Sequence, residues 1–488
     1  MTRAIGLVAI RHYRLCATFV LGLMAVNTLA GLGSRVIDDS DEALYGVSAY
    51  EMLRSHSFVV QTYAGQPDYL SLKPPLGDWV ITVSYQVFGP TALALRLPSA
   101  LSAIGVVALT MAAARRWFNR RVGILSGLIM ATAFPFLSHH GARSGDLDAP
   151  LTWILLLAAT QVALVRSAPT RIVALAFLLS CGFLVKSFGI LPMALVVIGF
   201  LLWTGAWRKV RGAQWALAGL VFVLPVAAWA FARIRADGSP AFLLRMVRVD
   251  LFARATQVID VVTSSRSGPT EAFVDRFAPW PFIMLVAALL WMGGHHWRAA
   301  ALGGWLRRGV HAFLVTWAAV QIMILSFMRT QHHWYLDPIY PACAMLASLS
   351  TLYLLRRSPA RQRAVALVGL VVLPLVFCEV RVVARISGKS RMPDSQRFLE
   401  SLALYRADMG DELYALFPLW HSERFILEVE DGLRVTEVGD TGAAARAVLP
   451  PGACVLASQT RRGGVWRLPA DAKVLFRTDT YVVYRLAQ

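Results

Sequence analysis

Apolar residues form long unbroken runs over the first 380 positions of this chain, and short alternating runs over the last hundred. Eleven long runs, at 15–34, 96–114, 121–138, 147–165, 170–185, 187–204, 213–233, 280–297, 308–328, 335–354 and 363–380, approach the roughly 20 residues that an α-helix needs to cross a bilayer. The pattern predicts an α-helical polytopic membrane protein with about 11–13 crossings. A shorter run at 76–89 places Leu76, Trp79, Val80, Val83 and Val87 on one helical face and Asp78, Thr82 and Gln86 on the other. That period and length predict a helix lying in the membrane interface. From about 388 the pattern changes. Runs at 412–417, 454–457, 474–477 and 481–485 read as strands, and 394–406 and 442–448 have helical spacing. A small α/β domain over 388–488 is expected, following a membrane domain over 1–387.

Charge supplies the orientation. The chain has 488 residues, of which 57% are hydrophobic and 16% charged, and a net charge of +19. In a soluble protein that charge would suggest nucleic acid. Here Arg115, Arg116, Arg120, Arg121, Arg166, Arg171, Arg208, Lys209, Arg211, Arg298, Arg307, Arg308, Arg356, Arg357, Arg361 and Arg363 all fall on one side, with the N-terminal Arg3, Arg11 and Arg14. Cytoplasmic loops collect such residues. The reading is therefore a multi-pass protein of the plasma (inner) membrane, with its N-terminus cytoplasmic and its tail extracytoplasmic. Its partners include membrane lipids but no nucleic acid. The outer side receives loop 35–95, turn 139–146, Lys186, loop 234–279, turn 329–334 and the tail. Five cysteines without a CxxC pair indicate neither a disulfide framework nor a zinc site.

The outer side also holds the chemistry. Asp38, Asp39, Asp41 and Glu42 crowd the start of the first loop. Helix N-termini favour such residues, yet like charges raise each other's pKa values and suit acid–base work. Asp146 and Asp148 stand beside Arg143 at another helix end, where an ordinary ion pair is the plainer reading. Lys186 could simply snorkel. Lys73 precedes two prolines that fix its backbone. His332, His333, Trp334 and Tyr335 make a further corner, whose paired histidines lack any companion ligand set for a metal; the pairs His139-His140 and His295-His296 lack one equally. Carboxylates and cations drawn from separate turns at one membrane depth suit group transfer from a phosphate-linked lipid. The cations absorb charge on the leaving phosphate, and a carboxylate takes the acceptor's proton.

In chain order these residues resemble the aminoarabinose transferases of lipid A and the protein O-mannosyltransferases, which share the C-type glycosyltransferase (GT-C) fold. The matching features are Asp41-Glu42 with Tyr45, Glu51 and Met52; Lys73-Pro74-Pro75-Leu76-Gly77 with Trp79; Phe88-Gly89, then Arg96-Leu97-Pro98-Ser99-Ala100; Arg143 with Asp148; Phe183 with Lys186; and Trp334-Tyr335 with Pro338, Tyr340 and Pro341. They cover residues 36–345. The resemblance implies an inverting transfer of one sugar from a polyprenyl-phosphate donor to an envelope glycolipid, glycan or protein, a lipid A-type acceptor being favoured. It implies catalytic roles for Asp41 and Asp148, and substrate contacts from Glu42, Tyr45, Lys73, Arg143, Lys186, His333 and Tyr335. Leu44 and Leu72 stand where the family often has Arg and Glu. Phosphate contact must then come from Lys73, Arg143, Lys186 or an arginine of loop 234–279, and neither a metal nor another cofactor is expected. A multispan transporter and an oligosaccharide ligase are the alternatives. The ionisable residues gather in loops rather than along the spans, and no inverted repeat is evident, which disfavours transport.

Overall fold

The computed structural model describes residues 12–138, 140–259, 268–294, 309–388, 393–438, 449–458, 468–469 and 472–487. The expected helix at 442–448, the pair His295-His296, His139 and the basic residues Arg3, Arg11, Arg298, Arg307 and Arg308 lie outside them. The main helices in chain order are α1 (Tyr13–Leu29), α2 (Asp41–Ser55), α3 (Leu76–Phe88), α4 (Ala92–Trp117), α5 (Arg120–Ala131), α6 (Asp148–Val165), α7 (Arg171–Lys186), α8 (Leu191–Thr204), α9 (Gly212–Asp237), α10 (Ala241–Met246), α11 (Pro269–Arg276), α12 (Trp280–Gly294), α13 (Val310–Phe327), α14 (Tyr340–Arg357), α15 (Leu373–Ser387) and α16 (Asp394–Leu402). All eleven apolar runs contain helix among the described residues. Seven helical stretches are long and apolar enough to cross a membrane, or eight if the bent pair α11–α12 forms one span. The chain is a multi-span membrane protein.

Two compact units divide it. The first comprises residues 1–32, 72–77 and 98–388. Its helix directions follow from side-chain contacts. Ser99 of α4 donates to the Asp146 carbonyl just ahead of α6, and a Cβ at Gly105 would lie 2.9 Å from Trp153 of α6. α4 and α6 are therefore parallel. Ser126 of α5 bonds Ser348 of α14. Trp117, Asn119, Val310, His311, Tyr353 and Arg356 line one cavity, so the end of α4, the starts of α5 and α13 and the end of α14 share one side. Phe200 of α8 packs on Phe313 of α13 with ring centroids 5.0 Å apart. Leu191, at the other end of α8, meets Leu325 and Met328 around a separate cavity. α8 therefore runs back toward the arginine-rich turns. The apolar stretch Arg171–Thr204 reverses direction at Ser187, whose φ is +42°.

The second unit comprises residues 33–71, 78–97 and 389–488. Sequence pattern assigns the first loop to the membrane domain, but here it packs with the C-terminal segment. Polar side chains invisible to an apolar-run reading make the join. Tyr63 bonds His421 at 2.6 Å, the Ser422 amide donates to Asp39 at 2.7 Å, and Gln396 donates to the Ile37 carbonyl at 3.1 Å. The C-terminal sheet contains β3 (Glu412–Ala415), β4 (Arg434–Glu437), β5 (Cys454–Ser458), β6 (Lys473–Arg477) and β7 (Tyr481–Arg485), after a short first-loop hairpin of β1 (Thr62–Tyr63) and β2 (Gln66–Pro67). Strand order is β4-β3-β5-β7-β6, with β3 parallel to β4 and β5, and β7 antiparallel to β5 and β6. Cys454, Leu456, Tyr481 and Val483 pack on one face; Val455, Ala457, Val482 and Tyr484 pack on the other. Burial on both faces explains why β5 and β7 read as unbroken apolar runs. β4 escapes sequence detection because Arg434-Val435-Thr436-Glu437 is an edge strand with little to bury.

α3 is amphipathic with its sides exchanged relative to a soluble helix. Asp78, Ile81, Thr82 and Tyr85 are buried, while Val80, Val83 and Val87 are exposed. An apolar outer face is what a helix at the lipid interface requires. Burial pushes the Asp78 carboxyl up to about 7, against the opposing effect of its 3.0 Å hydrogen bond from Gln61.

Candidate active site

Helix ends in the first unit gather charge around a cavity of about 230 Å³. The lining comprises Lys73, Asp148 at the start of α6, Lys186 at the end of α7, Asp250 and Arg254 after α10, and Tyr335 ahead of α14. Leu151, Phe188, Leu191, Pro192, Ile324 and Met328 complete an apolar wall. Three cations and two carboxylates leave the lining with one excess positive charge. The cavity lies at the helix ends opposite the arginine-rich turns.

Local backbone explains how these groups converge. Lys73 is only 8% exposed. Behind it, Pro74 and Pro75 restrict the chain. At Gly77 a Cβ would come within 2.6 Å of Leu147. Glycine therefore lets the Lys-Pro-Pro turn close on the start of α6. Leu72, just before Lys73, has φ +49°, and Ser187, just after Lys186, has φ +42°. Both ammonium-bearing segments thus adjoin a left-handed non-glycine residue, a strained geometry that clusters at functional sites. Asp250 sits in a π-helical turn, Val247–Ala253, another feature frequent at such sites.

The charges are interlocked. Lys73 pairs with Asp250, and Lys186 pairs with Asp148. Ser187 donates to Asp250 at 3.0 Å. Arg254 reaches Asp250 at 3.2 Å and donates to the Tyr335 hydroxyl at 3.1 Å. Gln321 of α13 holds the Tyr335 carbonyl at 2.8 Å. Asp250, Arg254 and Ser187 were missed as individual site residues, although an arginine of loop 234–279 is expected from the sequence. The available signal was the four-residue spacing of Asp250 and Arg254, which puts them on one helical face.

Other candidates have different positions. Arg143 does not line the cavity. Its guanidinium donates to the carbonyls of Asn27, Thr28 and Ala30 at 2.7–2.9 Å. Those carbonyls terminate α1, and a helix C-terminus presents unsatisfied acceptors and partial negative charge. His333 is also outside the lining, and its ring meets Trp334 edge-on. Trp334 is stacked between His140 and His332, at centroid distances of 3.8 and 4.3 Å. His140 approaches Asp146 at 3.0 Å. In the second unit, Asp41 opens α2, with Glu42 and Tyr45 following on the same helix. Arg96 engages both oxygens of Glu42, at 2.7 and 2.9 Å, and donates to the Arg35 and Val36 carbonyls. The Asp38 amide also donates to Glu42. This bidentate pair makes Glu42 a structural anchor of the first loop.

Known proteins are similar to this chain in sequence and in fold. A sequence profile for dolichyl-phosphate-mannose-protein mannosyltransferases matches residues 72–230. An undecaprenyl phosphate-alpha-4-amino-4-deoxy-L-arabinose arabinosyl transferase of Pseudomonas paraeruginosa is 28% identical over 342 residues, 65% of this chain and 56% of that protein. An uncharacterized protein of Aquifex aeolicus is 32% identical over 143 residues, 28% of each chain. The match thus spans less than two thirds of these relatives' own length. Among solved structures, ArnT from Cupriavidus metallidurans bound to undecaprenyl phosphate superposes with a TM-score of 0.69 at 20% identity, covering 96% of this chain and 97% of that one. The Archaeoglobus fulgidus oligosaccharyltransferase gives 0.59 at 11% identity, covering 91% and 69%. The fold is that of the C-type glycosyltransferases. In sequence the chain is similar to the mannosyltransferase profile over residues 72–230 and to the arabinosyl transferases over about two thirds of its length.

Proposed function

We propose that this protein transfers a single sugar, with inversion, from a polyprenyl-phosphate donor to an envelope acceptor at the outer face of the inner membrane. The cavity carries this reading: it sets three cations beside an apolar wall at the helix ends remote from the arginine-rich turns. A phosphate with a long hydrocarbon tail fits both parts of that lining. Positive-inside charge supports a cytoplasmic N-terminus and an extracytoplasmic C-terminal domain.

In the proposed reaction the acceptor oxygen bonds to the sugar's anomeric carbon as that carbon's bond to the phosphate oxygen breaks. The bonding pair leaves with the phosphate, where Lys73, Arg254 and Lys186 stabilise it. Tyr335 positions Arg254 through the 3.1 Å contact. Asp41 accepts the proton of a hydroxyl acceptor, and Asp148 holds Lys186 in place. Leu44 removes one familial arginine, and Arg254 supplies a guanidinium in its stead. A lipid A-type acceptor, which the resemblance of the ordered motifs implies, is favoured over a glycan or protein.

The test is purified protein in nanodiscs with an undecaprenyl-phosphate monosaccharide, alongside mass spectrometry of envelope lipids, glycans and proteins from cells with and without the gene. One monosaccharide missing from one envelope component is expected. Turnover only of a diphosphate-linked oligosaccharide would replace this reading with a ligase. An unchanged envelope with no transfer in vitro would refute it.

A further inference from the structure

Asp250 is the one lining residue whose charge opposes the proposed ligand without serving the proposed chemistry. It is 9% exposed and takes bonds from Lys73, Ser187 and Arg254. Two of these three groups are cations assigned above to the donor phosphate. Between turnovers its charge has an evident use, since buried cations without a counter-ion are costly. Once a phosphate enters, the same carboxylate competes for those cations.

Charge balance indicates which phosphate it opposes. The donor is a phosphodiester with one negative charge. The polyprenyl phosphate left after transfer is a monoester whose second ionisation falls near pH 6, so at neutral pH it carries close to two. The lining's single excess positive charge matches the donor. Without Asp250 the excess would be two, matching the product. Resting on the function proposed above, we infer that Asp250 tunes the cavity to the monoanionic donor and drives out the dianionic polyprenyl-phosphate product. The discharged phosphate meets a carboxylate that reclaims Lys73 and Arg254 as it leaves.

The experiment compares binding of undecaprenyl phosphate with that of its monomethyl ester, a monoanionic diester mimic, and of undecaprenol, which is neutral. It uses full-length protein in nanodiscs, at pH values from 5 to 8. Asp250→Asn should raise the preference for the monoester over the methyl ester about tenfold at pH 8. The gain should fade toward pH 5 as the monoester loses its second charge. Product inhibition of transfer should strengthen in parallel. Asp250→Glu, which keeps the charge, should retain wild-type discrimination. Equal loss of affinity for both phosphates in Asp250→Asn would overturn the inference, because Asp250 would then only position Lys73 and Arg254. A preference unchanged at every pH would overturn it too. If wild-type protein binds neither phosphate better than undecaprenol, the donor assignment itself fails, and that result is distinguishable from the other two.

Discussion

Replacing Lys73 with methionine tests the donor assignment most directly. Methionine keeps an unbranched stem of similar length, so the buried space stays filled while the charge is lost. The ammonium is nearly enclosed, with its side chain 11% exposed, so water cannot easily replace it at the phosphate. A hydrogen bond to a charged group contributes about 1.5–3 kcal/mol, equivalent to roughly 10- to 150-fold in kcat/KM. Asp250 pushes the effect toward the upper end. Deprived of Lys73, it keeps only Ser187 and Arg254 and draws Arg254 further from the phosphate. A loss of about 100-fold is expected. It should divide between KM and kcat, because the donor phosphate is already anionic and becomes more so as the bond breaks. The assay is transfer of radiolabelled sugar from a titrated undecaprenyl-phosphate donor, with thermal unfolding in the same detergent as a folding control. A kcat/KM within threefold of wild type, in a variant that unfolds at the wild-type temperature, would refute phosphate contact by Lys73.

Three further outcomes are expected. Asp41→Asn should abolish transfer to a hydroxyl acceptor while leaving the unfolding temperature within a few degrees, and near-normal turnover would remove Asp41 from catalysis. Transfer should persist after EDTA treatment; a loss restored by Mg²⁺ or Mn²⁺ would show that a metal is needed. Asp78→Asn should flatten the pH dependence of stability. The native carboxyl titrates at about 7 because of burial, against 3.8 for the ordinary group. Below about pH 4 native and unfolded chains both hold the proton, and above it only the native chain does. The wild type should therefore lose about 1.4 kcal/mol per pH unit up to about pH 7. A gap in unfolding temperature between variant and wild type that stays constant from pH 4.5 to pH 7.5 would count against this.

What the sequence revealed follows physical range. Apolar runs announce helices because a bilayer demands about 20 consecutive residues that hide their own backbone polarity. Strands β3, β5, β6 and β7 were legible because their runs are apolar or alternating, and helix α3 because its 14-residue run has helical amphipathic spacing. Lys73, Asp148, Lys186 and Tyr335 could be proposed because each sits at a helix end or beside prolines, where local chemistry singles it out. Pairing between distant segments was not legible. Glu42 and Arg96 lie 54 positions apart, Lys73 and Asp250 177 apart, and nothing local in either segment declares a partner. Arg143 shows the same limit from the other direction, because its charge beside Asp146 and Asp148 suggests a ligand contact, while the carbonyl ends of α1 claim its donors.

That contrast separates Arg143 from the cations of the cavity. Arg143 bonds three backbone carbonyls, which cannot leave, so its charge is committed to the fold. Lys73, Lys186 and Arg254 instead bond side-chain groups at the rim of an open cavity: Asp250, Asp148 and Tyr335. A side-chain partner can rotate away when a stronger anion arrives, whereas a helix terminus cannot. The guanidinium at the end of α1 and the ammonium at Lys73 are about equally buried, so burial alone does not distinguish structural cations from catalytic ones. A side-chain partner that lines the cavity does, and it supports the proposed phosphate contacts of Lys73, Lys186 and Arg254.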